Sequence, residues 1–176
     1  PDRIILNLTE ETSSSVAVTW RTDVTVSEGF CEIHPLSASR IVADSVKSIL
    51  ATTLQVSYKY KDEPVIEANQ HSATIRNLKA GGKYLYRVGS KTAWSEWFEF
   101  ALPDNNDQFS FVYFGDPQAD IRSQWSRIVR KAHEYTEDCA FMLYGGDIIN
   151  RGGRDIEWQE WFDAGSYIFA TVPQVL

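Results

Sequence analysis

Cysteine, histidine and basic charge are all scarce in this 176-residue chain, and each shortage removes a class of function. The two cysteines, Cys31 and Cys139, stand in what read as separate halves. A disulfide between them would have to link two independent cores, so both are read as small buried hydrophobes. Seventeen Lys+Arg stand against 24 Asp+Glu, a formal charge of −7. That balance argues against nucleic acid as the main partner, because phosphate backbones select basic faces. No stretch approaches the roughly 18–20 apolar residues that cross a bilayer, so no membrane span is predicted. There is no initiator Met before Pro1, and a signal peptide is neither established nor excluded. The three histidines, His34, His71 and His133, fall in strand-like or mid-helical patterns and read as surface or packing residues.

The acidic excess is uneven. Residues 1–104 hold 11 Lys+Arg and 13 Asp+Glu, a net of −2; residues 105–176 hold 6 and 11, a net of −5. An acidic segment is a poor host for a phosphorylated substrate unless some carboxylates hold cations, although a solvated acidic surface is the commoner cause.

What the chain has in quantity is aromatic residues, 13% of the total with six Trp, enough large apolar area for two cores. The first hundred residues read as short strands between turns. Val16, Val18 and Trp20 alternate with Ala17 and Thr19, the period of a half-buried strand. Residues 29–34 and 71–75 are further candidates, and Val56, Tyr58 and Tyr60 share one face of another. Tyr84, Tyr86 and Val88 alternate again, and residues 97–100 close the set. Roughly seven strands at this spacing mark an immunoglobulin-like sandwich. Leu78 and Tyr84 flank a Gly-rich turn in the manner of a tyrosine corner, and residues 78–88 (LKAGGKYLYRV) resemble the matching segment of fibronectin type III domains. Asn7-Leu8-Thr9 matches the glycosylation triplet, a pattern frequent by chance.

A turn-forming run at 103–107 (PDNND) predicts a linker, giving domains at 1–103 and 104–176. Residues 109–114 (FSFVYF) are a nearly continuous apolar run, as in a strand buried on both faces. Ile121, Trp125, Ile128 or Val129, Ala132 and Tyr135 recur at helical steps, with Asp120 placed to cap the helix. Residues 140–144 (AFMLY) form a second buried strand, and residues 154–169 a second helix. Strand, helix, strand, helix predicts a parallel α/β sheet. A βαβα unit alone has little surface to bury, and the chain reads as a fragment of something longer.

Both apolar strands end alike. The first runs into Gly115-Asp116-Pro117-Gln118 and the second into Gly145-Gly146-Asp147, followed by Ile148, Ile149, Asn150, Arg151 and Gly152. Ligands of open parallel sheets bind outside the carboxyl ends of the strands. Two carboxylates emerging there can hold hard or borderline cations, and a shared one can bridge two ions. The plain alternative is that Asp116 and Asp147 are turn residues or helix N-caps.

The pair resembles the first two sequence blocks of calcineurin-like metallophosphoesterases, with residues 146–152 (GDIINRG) close to the family's G-D-x-x-D-R-G. A fibronectin-like domain ahead of it resembles purple acid phosphatases and their bacterial relatives. The fold class implied is an all-β immunoglobulin/fibronectin III-like sandwich, then the first βαβα part of a truncated α/β metallophosphoesterase sandwich. The resemblance implies that Asp116 binds a first metal ion, that Asp147 bridges two, and that Arg151 bonds the substrate phosphate. It implies hydrolysis of small phosphate esters by a hydroxide activated by two divalent or mixed-valence ions (iron, zinc or manganese), in an extracytoplasmic setting.

Departures limit that expectation. Where the broader family often has His, and purple acid phosphatases commonly Gly, position 118 is Gln, a weaker oxygen ligand. At 150, where purple acid phosphatases carry an iron-binding Tyr, there is Asn, which resembles the broader family's supporting Asp changed to an amide. The G-N-H-[DE] block, with its proton-donor His, would begin after Leu176, so no catalytic acid is predicted within these residues and the fragment alone is expected to be inactive. The rival expectation is a non-catalytic binding protein with a degenerate phosphoesterase domain. Finally, Trp94-Ser95-Glu96-Trp97 with Arg87 resembles the Trp-Ser-x-Trp-Ser segment of cytokine receptors and reads as cation–π packing within the sandwich.

Overall fold

The computed structural model describes residues 1–36, 46–104, 108–136 and 138–176. Part of the predicted linker, residues 105–107, lies outside them.

Among the described residues up to Ala101 the chain has eight strands: β1 (Asp2–Leu8), β2 (Val16–Thr22), β3 (Phe30–Pro35), β4 (Lys47–Leu50), β5 (Thr52–Tyr58), β6 (Ile66–Ile75), β7 (Lys83–Gly89) and β8 (Phe98–Ala101). They form the two layers of a β-sandwich. One layer has the order β4-β3-β7-β8; the other contains β5-β6-β2-β1. The period-two pattern of β2 is realised as written, with Val16, Val18 and Trp20 buried and Ala17 and Thr19 only partly so. These side chains meet Cys31, Ile33, Tyr86, Val88, Phe98 and Phe100 from the facing layer.

Local contacts fix this layer. The backbone N–H of Lys79 donates to the Tyr84 hydroxyl at 2.7 Å, the predicted tyrosine corner, and a Cβ at Gly82 would lie 2.8 Å from that ring. The Arg87 guanidinium sits between Trp94 and Trp97, 4.5 and 4.7 Å from their ring centroids, and also pairs with Glu32 at 2.7 Å. His71 is a packing residue: it stacks on Trp20 at 5.2 Å, with the Thr22 and Thr53 hydroxyls at its ring nitrogens. Burial lowers its pKa. Cys31 and Cys139 are both free thiols, and burial pushes Cys31 up to about 12, as befits an inert hydrophobe.

The remaining residues add β9 (Ser110–Phe114), a π-helical turn (Ile121–Trp125), α1 (Ser126–Tyr135), β10 (Cys139–Tyr144), α2 (Asp155–Gly165), α3 (Tyr167–Thr171) and β11 (Gln174–Val175). Strands β9, β10 and β11 run parallel. β11 also pairs in parallel with β1, Asn7 opposite Gln174. One seven-stranded sheet, β5-β6-β2-β1-β11-β10-β9, therefore runs through both halves of the chain. Leu6 belongs to the sandwich core and its neighbour Ile5 to the second core, around Trp125, Met142, Tyr144, Trp161 and Phe169. Tyr86, fully buried in the sandwich, donates its hydroxyl to the Ala170 carbonyl at 2.7 Å. The glycosylation triplet begins inside this sheet, with Asn7 in ladder register with Ala17 on one side and Gln174 on the other.

Four expectations need correction. β9 is not buried on both faces: among the described residues it is an edge strand, and Phe109, Phe111 and Tyr113 are exposed. Helices cover the Val112/Phe114 face alone, and on the open face the aromatics stack on one another, Phe111 on Phe141 at 5.0 Å. Asp120 makes no side-chain cap; it sits at φ 50° and its carbonyl accepts the Gln124 N–H at 2.7 Å. Of the helix positions, Ile121, Trp125 and Val129 are buried and Ala132 partly so, as expected with Val129 rather than Ile128 turned inward, but Tyr135 faces water. The second helix is broken at Ser166, φ 48°, into α2 and α3. There Gly165 lets the Phe169 ring come within 2.2 Å of where a Cβ would be.

Candidate functional site

The carboxyl ends of β9 and β10 lie side by side, in register at Phe114 and Tyr144. The Gly145 N–H continues the ladder to the Phe114 carbonyl at 2.9 Å. Two glycines then let the chain turn sharply. A Cβ on Gly145 would lie 2.4 Å from the Tyr113 hydroxyl, and Gly146 has φ 125°. Asp147 follows at φ 42°, a left-handed conformation costing a non-glycine residue on the order of 1 kcal/mol and tolerated best by Asp and Asn. Such strain at a strand end is characteristic of functional loops.

The two strand-end loops are tied together. The Gln118 Nε2 lies 3.4 Å from Asp147 Oδ2, and the Asn150 Nδ2 donates to the Gln118 carbonyl at 2.9 Å. Asp116, Asp147 and Asn150 are exposed, with Gln118 partly buried between the loops. Two carboxylates and an amide oxygen suit a hard cation, but they are fewer than a closed site needs. Among the described residues no group of three or more His, Cys, Asp or Glu side chains is placed to hold a metal ion. Gln118 turns its amide nitrogen toward Asp147, so it would have to present its oxygen instead to act as a ligand.

Arg151 leaves the loop with its side chain 53% exposed. Its root is fixed: Glu157, 8% exposed and in the first turn of α2, accepts the Arg151 backbone N–H at 2.9 Å and its guanidinium at 3.2 Å. Glu157 also pairs with Arg154 at 3.6 Å. Reading the sequence alone missed Glu157. The available signal was an acidic residue six positions past Arg151, where a helix N-terminus favours negative charge.

Asp155 was missed too. Arg3, at φ 50° beside a register shift in β1, reaches it at 2.8 Å, Arg21 at 3.1 Å, and Tyr58 donates its hydroxyl to the same oxygen. Burial pushes the Asp155 carboxyl up, but the bonds from Arg3 and Tyr58 and the charge of Arg21 outweigh it, holding it below the ordinary carboxylate value. Among the described residues no helix is long and apolar enough to cross a membrane.

A model of the purple acid phosphatase N-terminal domain matches residues 1–102. Acid phosphatase type 7 of Mus musculus is 34% identical over 87 residues, which cover 48% of this chain and 19% of that protein. The solved structure of PhoD aligns with 97% of this chain and 37% of its own, with a TM-score of 0.58. At 11% identity that likeness is one of fold. The chain thus spans about a fifth of the length of the mouse protein.

Proposed function

The chain belongs to the purple acid phosphatase-like family, and from that premise we propose that it is the N-terminal part of a metal-dependent hydrolase of small phosphate esters, working outside the cytoplasm. In this reading the sandwich occupies residues 1–103, and residues 104–176 begin the phosphoesterase domain with its first β-α-β-α elements. The observation that carries it is the pairing of two parallel strand ends, at which Gln118 meets Asp147 and the Asp147 loop presents a half-exposed arginine.

Asp116, Asp147 and, after an amide turn, Gln118 would hold part of a two-ion centre, the other donors lying outside these residues. Bound there, iron, zinc or manganese ions would supply an activated water nucleophile and neutralise charge on the reacting phosphate. The protein's own groups orient the rest. The strained backbone at Asp147 fixes where its carboxylate points. Asn150 locks the two loops at a set spacing. Arg151 presents a planar fork that matches phosphate oxygens, and Glu157 holds both its backbone N–H and the Nη1 edge of that fork, leaving the side chain half exposed.

The test is metal analysis and phosphatase assay of the full-length protein, wild type against Asp147→Asn. Joint loss of bound metal and activity is expected; full metal content in the variant would sink the reading. A second reading, a non-catalytic binding protein, is favoured by one observation, the amide nitrogen that Gln118 turns to Asp147. Full-length wild-type protein that binds inorganic phosphate without metal and hydrolyses no aryl phosphate would establish it.

A further inference from the structure

We propose that the β5–β6 hairpin of the sandwich is a strut for the Arg151 loop, so that the N-terminal domain sets the position of the arginine assigned above to phosphate. This rests on that reading for its consequence, but not for its geometry.

Three successive residues of the loop are each met by the sandwich. Gly153 lies under the Tyr60 ring, closely enough that an added Cβ would be 3.1 Å from it. Arg154 pairs through its Nε with Glu63 at 2.7 Å. Asp155 takes Tyr58, at the end of β5, together with Arg3 and Arg21. Tyr58, Tyr60 and Glu63 belong to one hairpin between β5 and β6, and Glu63 closes its turn by donating its N–H to the Tyr60 carbonyl at 2.9 Å.

The far side of the loop is closed by its own helix. Trp158 donates its indole N–H to the Gly152 carbonyl at 2.8 Å, and Glu157 binds both Arg151 and Arg154. Arg154 is therefore shared, with Glu63 of the hairpin on one edge and Glu157 on the other. Withdrawing Glu63 frees Arg154 to compete with Arg151 for the same Glu157 oxygen, Oε1. That is the route by which a contact in the sandwich reaches Arg151. Each carboxylate bond is charge-assisted and directional, so the linkage carries orientation as well as energy. Glu63 and Tyr60 are positioning residues here.

The experiment compares Glu63→Ala, Glu63→Gln and Tyr60→Leu in the full-length protein, with Arg151→Ala as reference. Amide hydrogen exchange reports the loop directly, because the Arg151 N–H is bonded to Glu157. Faster exchange at Arg151 in Glu63→Ala and Tyr60→Leu, with β2 and β7 amides unchanged and Glu63→Gln near wild type, is expected. With p-nitrophenyl phosphate, KM should rise about three- to tenfold in Glu63→Ala while kcat changes less than about twofold, the pattern of lost uniform binding. Wild-type exchange at Arg151 in both hairpin variants would overturn the strut. So would an unchanged KM in Glu63→Ala when Arg151→Ala raises it. If Arg151→Ala itself leaves KM unchanged, the phosphate reading of Arg151 fails and exchange alone decides the strut.

Discussion

Replacing Asp155 by Asn removes one negative charge from a junction where two guanidiniums and a phenol converge, with almost no change of shape. Arg21 retains Asp2 at 2.7 Å. Arg3 retains the Asp155 carbonyl at 3.1 Å and Gln159 at 3.4 Å, but its side chain is only 8% exposed and loses its carboxylate. Breaking a fully buried pair costs about 3–5 kcal/mol. Because Arg21 keeps a partner and the Asp155 side chain is 21% exposed, a loss of roughly 2–3 kcal/mol is expected. In a chain of this size each kcal/mol lowers Tm by about 2–4 °C, so a drop of roughly 5–10 °C should appear in a thermal scan followed by circular dichroism. The contribution also depends on pH. The Asp155 carboxyl is held below its ordinary value of 3.8 in the folded state. Its contribution is therefore present above that value and lost as pH falls through the lower folded one. Urea midpoints of wild type and variant should differ fully at neutral pH, begin to draw together near pH 3.8 and converge only below the lower folded value. A difference under about 0.5 kcal/mol at pH 7, the size of an ordinary exposed pair, would mean that Asp155 does not anchor this junction.

Tyr84→Phe leaves the Lys79 N–H without its acceptor and should cost about 1–2 kcal/mol in urea unfolding. Gly165→Ala drives a methyl into the Phe169 ring and should cost about 2–3 kcal/mol or more, read as a lower denaturant midpoint. Arg87→Ala removes a guanidinium held between two indoles and should cost on the order of 1 kcal/mol, with a blue- or red-shift of tryptophan fluorescence. Phe111→Lys on the open aromatic face should raise solubility, measured by light scattering, and change stability by less than about 0.5 kcal/mol.

Where a strand had one wet and one dry face, as β2 and β7 do, alternation made it legible. β1 was invisible to that test: Ile4, Ile5 and Leu6 are consecutive because the strand separates two cores and is apolar on both sides. β4 was invisible for the opposite reason, since Lys47–Leu50 is an edge strand mostly in water. β9 looked doubly buried because an edge whose aromatics cover one another reads like a core strand. At the candidate site, the glycines and carboxylates stood out locally, so Asp116, Gln118, Asp147, Asn150 and Arg151 could be nominated. Glu157 offered only a local signal, six positions past Arg151, while Asp155 and Glu63 could not be nominated because their partners come from across the fold, 91 residues away in the case of Glu63 and Arg154.

The place of β11 between β1 and β10 also sets an order of events during synthesis. β1 is synthesised long before the strand that fills the slot on its outer edge, since Asn7 precedes its partner Gln174 by 167 residues. In the interval the nascent sandwich shows unpaired backbone groups along β1 beside a bare Ile5, the sort of edge that recruits other chains. The late closure of a ladder between such distant residues is slow by nature. The growing polypeptide would need shelter for that whole interval, and the hazard ends only when Gln174 arrives opposite Asn7.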